Sequence, residues 1–279
     1  MVYLLLAILC SAMISICMRV SEKHIKDEIG MFMINYGICA VLTLVFMDYD
    51  GNLLGTENQI VTVITGICSG ILYLGGFLML KFNIKHNGIV LSATFMKLGV
   101  MLPTVLAVVI FRELPTLVQT IGIVMAIIAI VIIHFEKDSL SQGDKKVWLI
   151  VLLIVGGMTD SMSNFFDKLG HISGKNGYLL LTFCVAFALT VFLVIKRKKK
   201  ITKYDVIYGV LVGVPNYYFS VFLLAALREV SAVIVYPTYS IGAMVLIVLA
   251  GVIAFNEKIS KKKGIALCMI AVAIALLNI

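Results

Sequence analysis

Apolar residues run along this chain in ten long blocks, near 2–20, 29–47, 60–80, 88–111, 115–134, 147–167, 176–195, 204–226, 230–254 and 262–278, with short polar stretches between them. Each approaches the roughly 20 residues that a helix needs to cross a hydrocarbon core about 30 Å thick. None shows the sustained alternation of a barrel strand, and the connections leave no room for a soluble domain. The pattern predicts an all-α integral membrane protein with ten transmembrane helices. The first block sits where a leader peptide would, but it lacks a basic start, and Leu9 before Cys10 is too bulky for a lipid-attachment site, so it is expected to be the first span.

The second half repeats the first without a gap at a shift of 144 residues. Tyr73 falls on Tyr217, Leu80 on Leu224, Thr94 on Thr238, Leu102 on Leu246, Phe111 on Phe255, Glu113 on Glu257 and Met125 on Met269. Apolar matches are cheap in such a sequence, so the weight rests on Tyr, Thr and the Phe-x-Glu pair holding one register. The expected organisation is a first five-helix repeat over 1–136, a basic connecting loop at 137–146 and a second five-helix repeat over 147–279. Five spans is an odd number, so the second repeat enters the membrane in the opposite sense, and the repeats are inverted. Inverted repeats give a fold two related gates around a site near the midplane.

Composition agrees: 61% of residues are apolar and 14% charged, and the mean hydropathy is +1.08, too little polar surface to clothe a soluble globule. Of the 23 Lys and Arg, 18 fall on one side of the predicted membrane and 4 on the other, with Lys97 inside a span. By the positive-inside rule the basic loops are cytoplasmic and both termini face outward. The net charge of +8 is then accounted for by topology, with no nucleic-acid partner. The run Lys196 to Lys200 is a topology anchor or a holder of anionic lipid. All six cysteines lie inside predicted spans without C-x-x-C spacing and read as small apolar side chains. Gly66-x-x-x-Gly70 and Gly209-x-x-x-Gly213 are small-residue faces suited to close helix packing.

The two closing segments, Phe111-Arg112-Glu113-Leu114 through Gly122 and Phe255-Asn256-Glu257-Lys258-Ile259 through Leu267, with five spans per half, resemble the EamA-type repeat of the drug/metabolite transporter superfamily. The resemblance implies a ten-helix carrier of amino acids, nucleotide sugars, sugar phosphates or drugs, often an exporter or exchanger. This chain departs from the family in placing Ala266 opposite Gly122 and in lacking a tryptophan in its first span.

Charges placed at mid-bilayer are costly and usually face a cavity or a partner. Lys97, with Thr94 and Thr104 at helical spacing, suits a carboxylate or phosphate, and its counterpart is Ile241. Span nine offers Tyr236, Thr238, Tyr239 and Ser240 around Pro237, where a kink is expected. Span eight adds Asn216, Tyr217 and Tyr218 after Pro215, with Tyr73 matching Tyr217. Asp160 opens a polar stripe with Ser163, Asn164 and Asp167, matched in the first span by Ser11, Ser15, Arg19 and Glu22. Lys97, Thr94, Tyr73, Asn216, Tyr217, Tyr236, Tyr239 and Ser240 are the candidate substrate contacts. Asp160, Asn164, Ser15 and Arg19 are candidates for coupling or cavity lining. Lys97 and Asp160 either serve substrate and proton or neutralise each other as a structural pair. Glu113 and Glu257 are expected to cap the helices that follow them.

No Walker A, H-E-x-x-H or G-x-S-x-G sequence is present, so ATP hydrolysis and standard hydrolase chemistry have no foothold. The expectation is a non-enzymatic secondary transporter without cofactor or metal, in a bacterial inner membrane, working by alternating access with a proton or counter-substrate. Lys97 leans its cargo towards anionic or zwitterionic metabolites such as amino acids. The alternative is an exporter of cationic or bulky drug-like compounds.

Overall fold

The computed structural model describes residues 1–47, 53–55, 57–87, 89–134, 147–255 and 261–277. The connecting loop 137–146, with Lys137, Lys145 and Lys146, lies outside the described residues, as do Glu257 and Lys258. Among the described residues all regular structure is helical: α1 (Val2–Ser21), α2 (Ile29–Phe46), α3 (Gln59–Asn87), α4 (Ile89–Leu98), α5 (Met101–Phe111), α6 (Leu117–His134), α7 (Val147–Leu169), α8 (Lys175–Lys196), α9 (Lys203–Glu229), α10 (Ala232–Phe255) and α11 (Lys261–Leu277), with a 3-10 turn at Ile172–Gly174. Seven helical stretches are long and apolar enough to cross a membrane, and the shorter apolar stretches Phe95–Phe111, Leu117–Ile132 and Gly264–Leu277 complete the ten predicted blocks. The duplication shows in the bounds: α9 starts 144 residues after α3, and α11 starts 144 residues after α6.

Span four departs from the prediction. It is two helices, α4 and α5, separated at Gly99 and Val100. Pro103 has no N–H to offer the Gly99 carbonyl, which accepts instead from the Leu102 N–H at 2.9 Å. The crossing leaves little room for a larger residue: a Cβ on Gly99 would lie 3.0 Å from the Gly157 nitrogen and the Leu153 carbonyl, and one on Gly157 would lie 2.4 Å from the Gly99 carbonyl. In α10, where a kink is expected at Pro237, the helix carries the proline inside it without a break.

The molecule divides into two compact units that cut across the sequence repeats, residues 1–74 with 162–228 and residues 75–161 with 229–279. In the first, both glycine faces work as packing surfaces. A Cβ on Gly66 or Gly70 would run into α8 at Leu181, Thr182 and Val185, and one on Gly209 or Gly213 into α2 at Ile34, Asn35 and Ile38. Buried Asp205 closes the start of α9 in a capping box with Thr202, whose N–H and hydroxyl it accepts at 2.8 and 2.7 Å. Asp205 also accepts from Lys199 Nζ at 3.2 Å, and the same ammonium donates to the Asp27 carbonyl. At the other end, Asp167 Oδ1 pairs with Arg228 Nε at 3.7 Å. In the second unit α6, α10 and α11 share a core in which Ala126, Ala129, Ala266 and Ala273 let the helices approach and Ile130, Ile241, Met244 and Ile270 fill the space.

The first turn of α6 corrects one expectation. Its cap is the reciprocal box of Thr116 and Gln119, Thr116 N–H to Gln119 Oε1 at 3.0 Å and Gln119 N–H to Thr116 Oγ1 at 3.2 Å, rather than Glu113. Arg112 takes up a left-handed φ of 54° and ends α5, placing Glu113 where its N–H donates back to the Ala107 carbonyl at 3.1 Å.

Overpacking the α4–α7 crossing should be costly. Gly157→Val is expected to destabilise the protein by about 1–3 kcal/mol, seen as a lowered melting temperature in detergent. Gly156→Ala, whose added carbon would meet only the Met96 carbonyl at 3.9 Å, should be neutral or slightly stabilising. Equal effects would show that the crossing is not tight.

Candidate transport site

Lys97 occupies the last turn of α4, two residues before the break. Gly157 brings α7 into backbone contact with that break, so Asp160, less than one turn further along α7, comes close to Lys97. The two charges interact electrostatically but do not close into an ion pair among the described residues. Neither side chain is fully buried. The third element is α10. Tyr239 donates its hydroxyl to Asp160 Oδ2 at 2.7 Å and Tyr236 donates to the Asp160 backbone carbonyl at 2.7 Å, the two rings meeting edge to face at 6.0 Å. Tyr236 is entirely buried, so its hydroxyl needs that carbonyl as an acceptor. Asp160 is thereby held by two tyrosines, and Lys97 remains the adjustable partner.

Four sequence candidates, Lys97, Asp160, Tyr236 and Tyr239, thus meet in the second unit, and Ser240 is buried in that unit. Thr94 is on α4, with its side chain outside the described residues. Thr104, expected beside Lys97, lies beyond the break; it donates to the Val100 carbonyl at 3.1 Å and lines a small apolar pocket with Ile130, Pro237 and Ile241. The remaining candidates belong to the first unit. Asn216 Nδ2 donates to Asn35 Oδ1 at 3.2 Å, and Cys39 places its thiol between that oxygen and the Gly213 carbonyl. Tyr73 packs edge-on against Tyr36 at 6.1 Å and Phe183 at 6.4 Å. Ser15 donates to the Ser11 carbonyl at 3.1 Å, Asn164 is buried, and Arg19 sits in the last turn of α1. Tyr217 faces a separate cavity.

Three residues that matter here were missed by the sequence reading: Gly99 and Gly157, which make the approach, and Asn35. The signals were present. Gly99 and Pro103 stand four residues apart in an apolar run, and a lone Asn in a span is expensive unless paired.

Residues 1–135 match the sequence model of the EamA-like transporter family. The first half of the chain is an EamA-type repeat of the drug/metabolite transporter superfamily. An uncharacterized protein of Haemophilus influenzae is 23% identical to it over 274 residues, covering 92% of this chain and 91% of that protein. A solved crystal structure superimposes with a TM-score of 0.76 over 99% of this chain and 94% of the other at 14% identity, a likeness of fold. The match, with the apolar helices, supports a multi-pass membrane protein and suggests a transporter of small molecules.

The open Lys97–Asp160 arrangement predicts an ordering of energies. In SDS-titration unfolding, a cycle of Lys97→Met, Asp160→Asn and the double variant should give a coupling at the low end of the usual range, about 0.5–1 kcal/mol. Tyr239→Phe, which removes a hydrogen bond to a charged group, should cost more, about 1.5–3 kcal/mol. A coupling above that of Tyr239→Phe would mean that the charges close on each other.

Proposed function

We propose that the protein is a secondary transporter, an exporter or exchanger, of a small zwitterionic or anionic metabolite such as an amino acid. The observation that carries this reading is the unclosed pair of Lys97 and Asp160, with Asp160 steadied by Tyr239. An ammonium and a carboxylate that face each other without pairing are complementary to a substrate carrying the same two charges. A substrate carboxylate takes Lys97, and a substrate ammonium takes the Asp160 oxygen. Each interaction replaces hydration that the substrate gives up on leaving water, and in a medium of low dielectric the exchange is worth more than at a surface. A substrate with a carboxylate alone would still satisfy Lys97, with a proton or counter-substrate balancing Asp160.

Transport follows the inverted repeats. Alternating access needs two related gates around one site, and this chain supplies them by duplication. It makes the site itself asymmetric, because Ile241, the counterpart of Lys97, is buried in the apolar core of the second unit. The charge distribution supports a bacterial inner membrane with the basic loops in the cytoplasm and both termini outside.

The reading is tested by counterflow in proteoliposomes against amino acids, organic acids and organic cations. Saturable exchange of a zwitterion or anion is expected, reduced at least tenfold in Lys97→Met, with Asp160→Asn impairing zwitterions more than simple anions. In the same purified protein, a cargo at about 100 times its Kd should add about 2.7 kcal/mol of stability. Exchange confined to organic cations, untouched by Lys97→Met, would replace this reading with the drug-exporter alternative.

A further inference from the structure

Two basic segments meet in the first unit, residues 19–28 around the α1–α2 connection and residues 196–205 around the α8–α9 connection. α8 ends with Lys198 at a left-handed φ of 51°, and the Lys199 N–H closes the turn on the Val194 carbonyl at 3.0 Å. After this reversal the Lys199 ammonium donates to the Asp27 carbonyl and, at 3.2 Å, to buried Asp205. A second tie joins His24 to α9. Its ring lies 4.9 Å from that of Tyr204 and 5.5 Å from that of Tyr208, and the Tyr208 hydroxyl is 3.0 Å from His24 Nδ1. Lysines flank these ties in sequence: Lys23 beside His24, Lys26 beside Asp27, Lys198 and Lys200 beside Lys199, and Lys203 beside Tyr204. The ties therefore gather both sets of charges onto one surface. Of the nine Lys and Arg in the two segments seven are exposed, and of the four acids only Glu22 is. We infer that this surface is a binding site for the headgroup of an anionic phospholipid.

The excess of positive charge calls for an anion, and the apolar side chains around it select the kind. Phe192 and Ile195, in the last turns of α8, are 59% and 69% exposed, and Ile201, Val206 and Ile207 are exposed as well. The Lys196 ammonium lies over the Phe192 ring at 5.8 Å and that of Lys203 over the Tyr204 ring at 5.2 Å, so basic heads and apolar bodies occupy the same ground. A soluble phosphate or an acidic protein segment would use the charges and leave those apolar side chains uncovered. A diacyl phospholipid uses both, its phosphate at the lysines and its acyl chains along Phe192 and Ile195. Each Lys or Arg near an anionic lipid surface is worth about fivefold in affinity. Because the two segments are already tied, a headgroup can meet several of these charges with little ordering cost.

The test places a reporter on the surface. Tyr204→Trp is made in a Trp148→Phe chain, which removes the single natural tryptophan. The full-length protein is reconstituted in vesicles where brominated phosphatidylglycerol or brominated phosphatidylcholine quenches the new fluorophore. Phosphatidylglycerol should be preferred about tenfold at low salt, and the preference should fall below about threefold in 1 M NaCl, where the screening length is about 3 Å. Lys198→Gln/Lys200→Gln and Lys23→Gln/Lys26→Gln, which keep long side chains, should each bring it below about threefold. Lys81→Gln/Lys85→Gln, an equal loss of charge elsewhere, should leave it unchanged, as should Lys97→Met, which separates this surface from the proposed transport site. Inorganic phosphate at constant ionic strength should not displace the lipid. Equal quenching by the two lipids, indifference to salt, survival of the preference in either loop variant, its loss in Lys81→Gln/Lys85→Gln or Lys97→Met, or its abolition by inorganic phosphate would each overturn the assignment.

Discussion

In hydrocarbon there is no water to accept from a backbone N–H or donate to a carbonyl, so a spanning segment must satisfy its own hydrogen bonds or be covered where it does not. That requirement makes every described segment of regular structure a helix and sets where a helix can stop. The break at Gly99 and Val100 is tolerated because α7 lies against it, with Gly157 in backbone contact. Pro103 removes one ladder bond, and the Leu102 N–H bond to Gly99 repairs part of the loss. The same contact that covers the irregular backbone brings Lys97 and Asp160 near each other. Position and chemistry of the candidate site thus depend on two hydrogen-sized side chains.

Duplication supplies a symmetric scaffold, and the chemistry lies where symmetry fails. The prolines of spans four and nine stand at different points of the repeat, and only the first accompanies a break in its helix. Lys97 faces Asp160, and its counterpart Ile241 packs among alanines and methionine. Tyr217 lines a cavity, and its counterpart Tyr73 is a packing residue. A carrier built from two copies has to differentiate them, since two identical half-sites would place like charges opposite each other. These differences are in single residues, and the helix bounds around them scarcely move.

Some of this was legible along the chain. The ten spans and the 144-residue register follow from apolar block length and from Tyr, Thr and Phe-x-Glu recurring in phase, and the helix bounds repeat with the same offset. The glycine faces were read as packing surfaces, and both are. Span four misled because an apolar run looks alike whether its helix is continuous or broken, and Thr104 was carried onto the face of Lys97 by a periodicity that the break interrupts. Glu113 was given a cap that Thr116 and Gln119 make three and six residues later, since a loose acid before a helix and a Thr-x-x-Gln box both suit a helix start.

The sequence by itself determined the helical class and the apolar blocks that form the helices, because those depend on block length and composition, which are local or additive along the chain. Tertiary structure decided which polar groups meet. Lys97 stands 63 residues before Asp160 and Asp160 stands 79 before Tyr239, and no local pattern carries that information. Helical periodicity says which residues share a face of one helix. Which face meets which neighbour, and how closely, is set by side-chain volume at the crossings, and there Gly99 and Gly157 placed the charges and Gly209 and Gly213 brought α9 against α2.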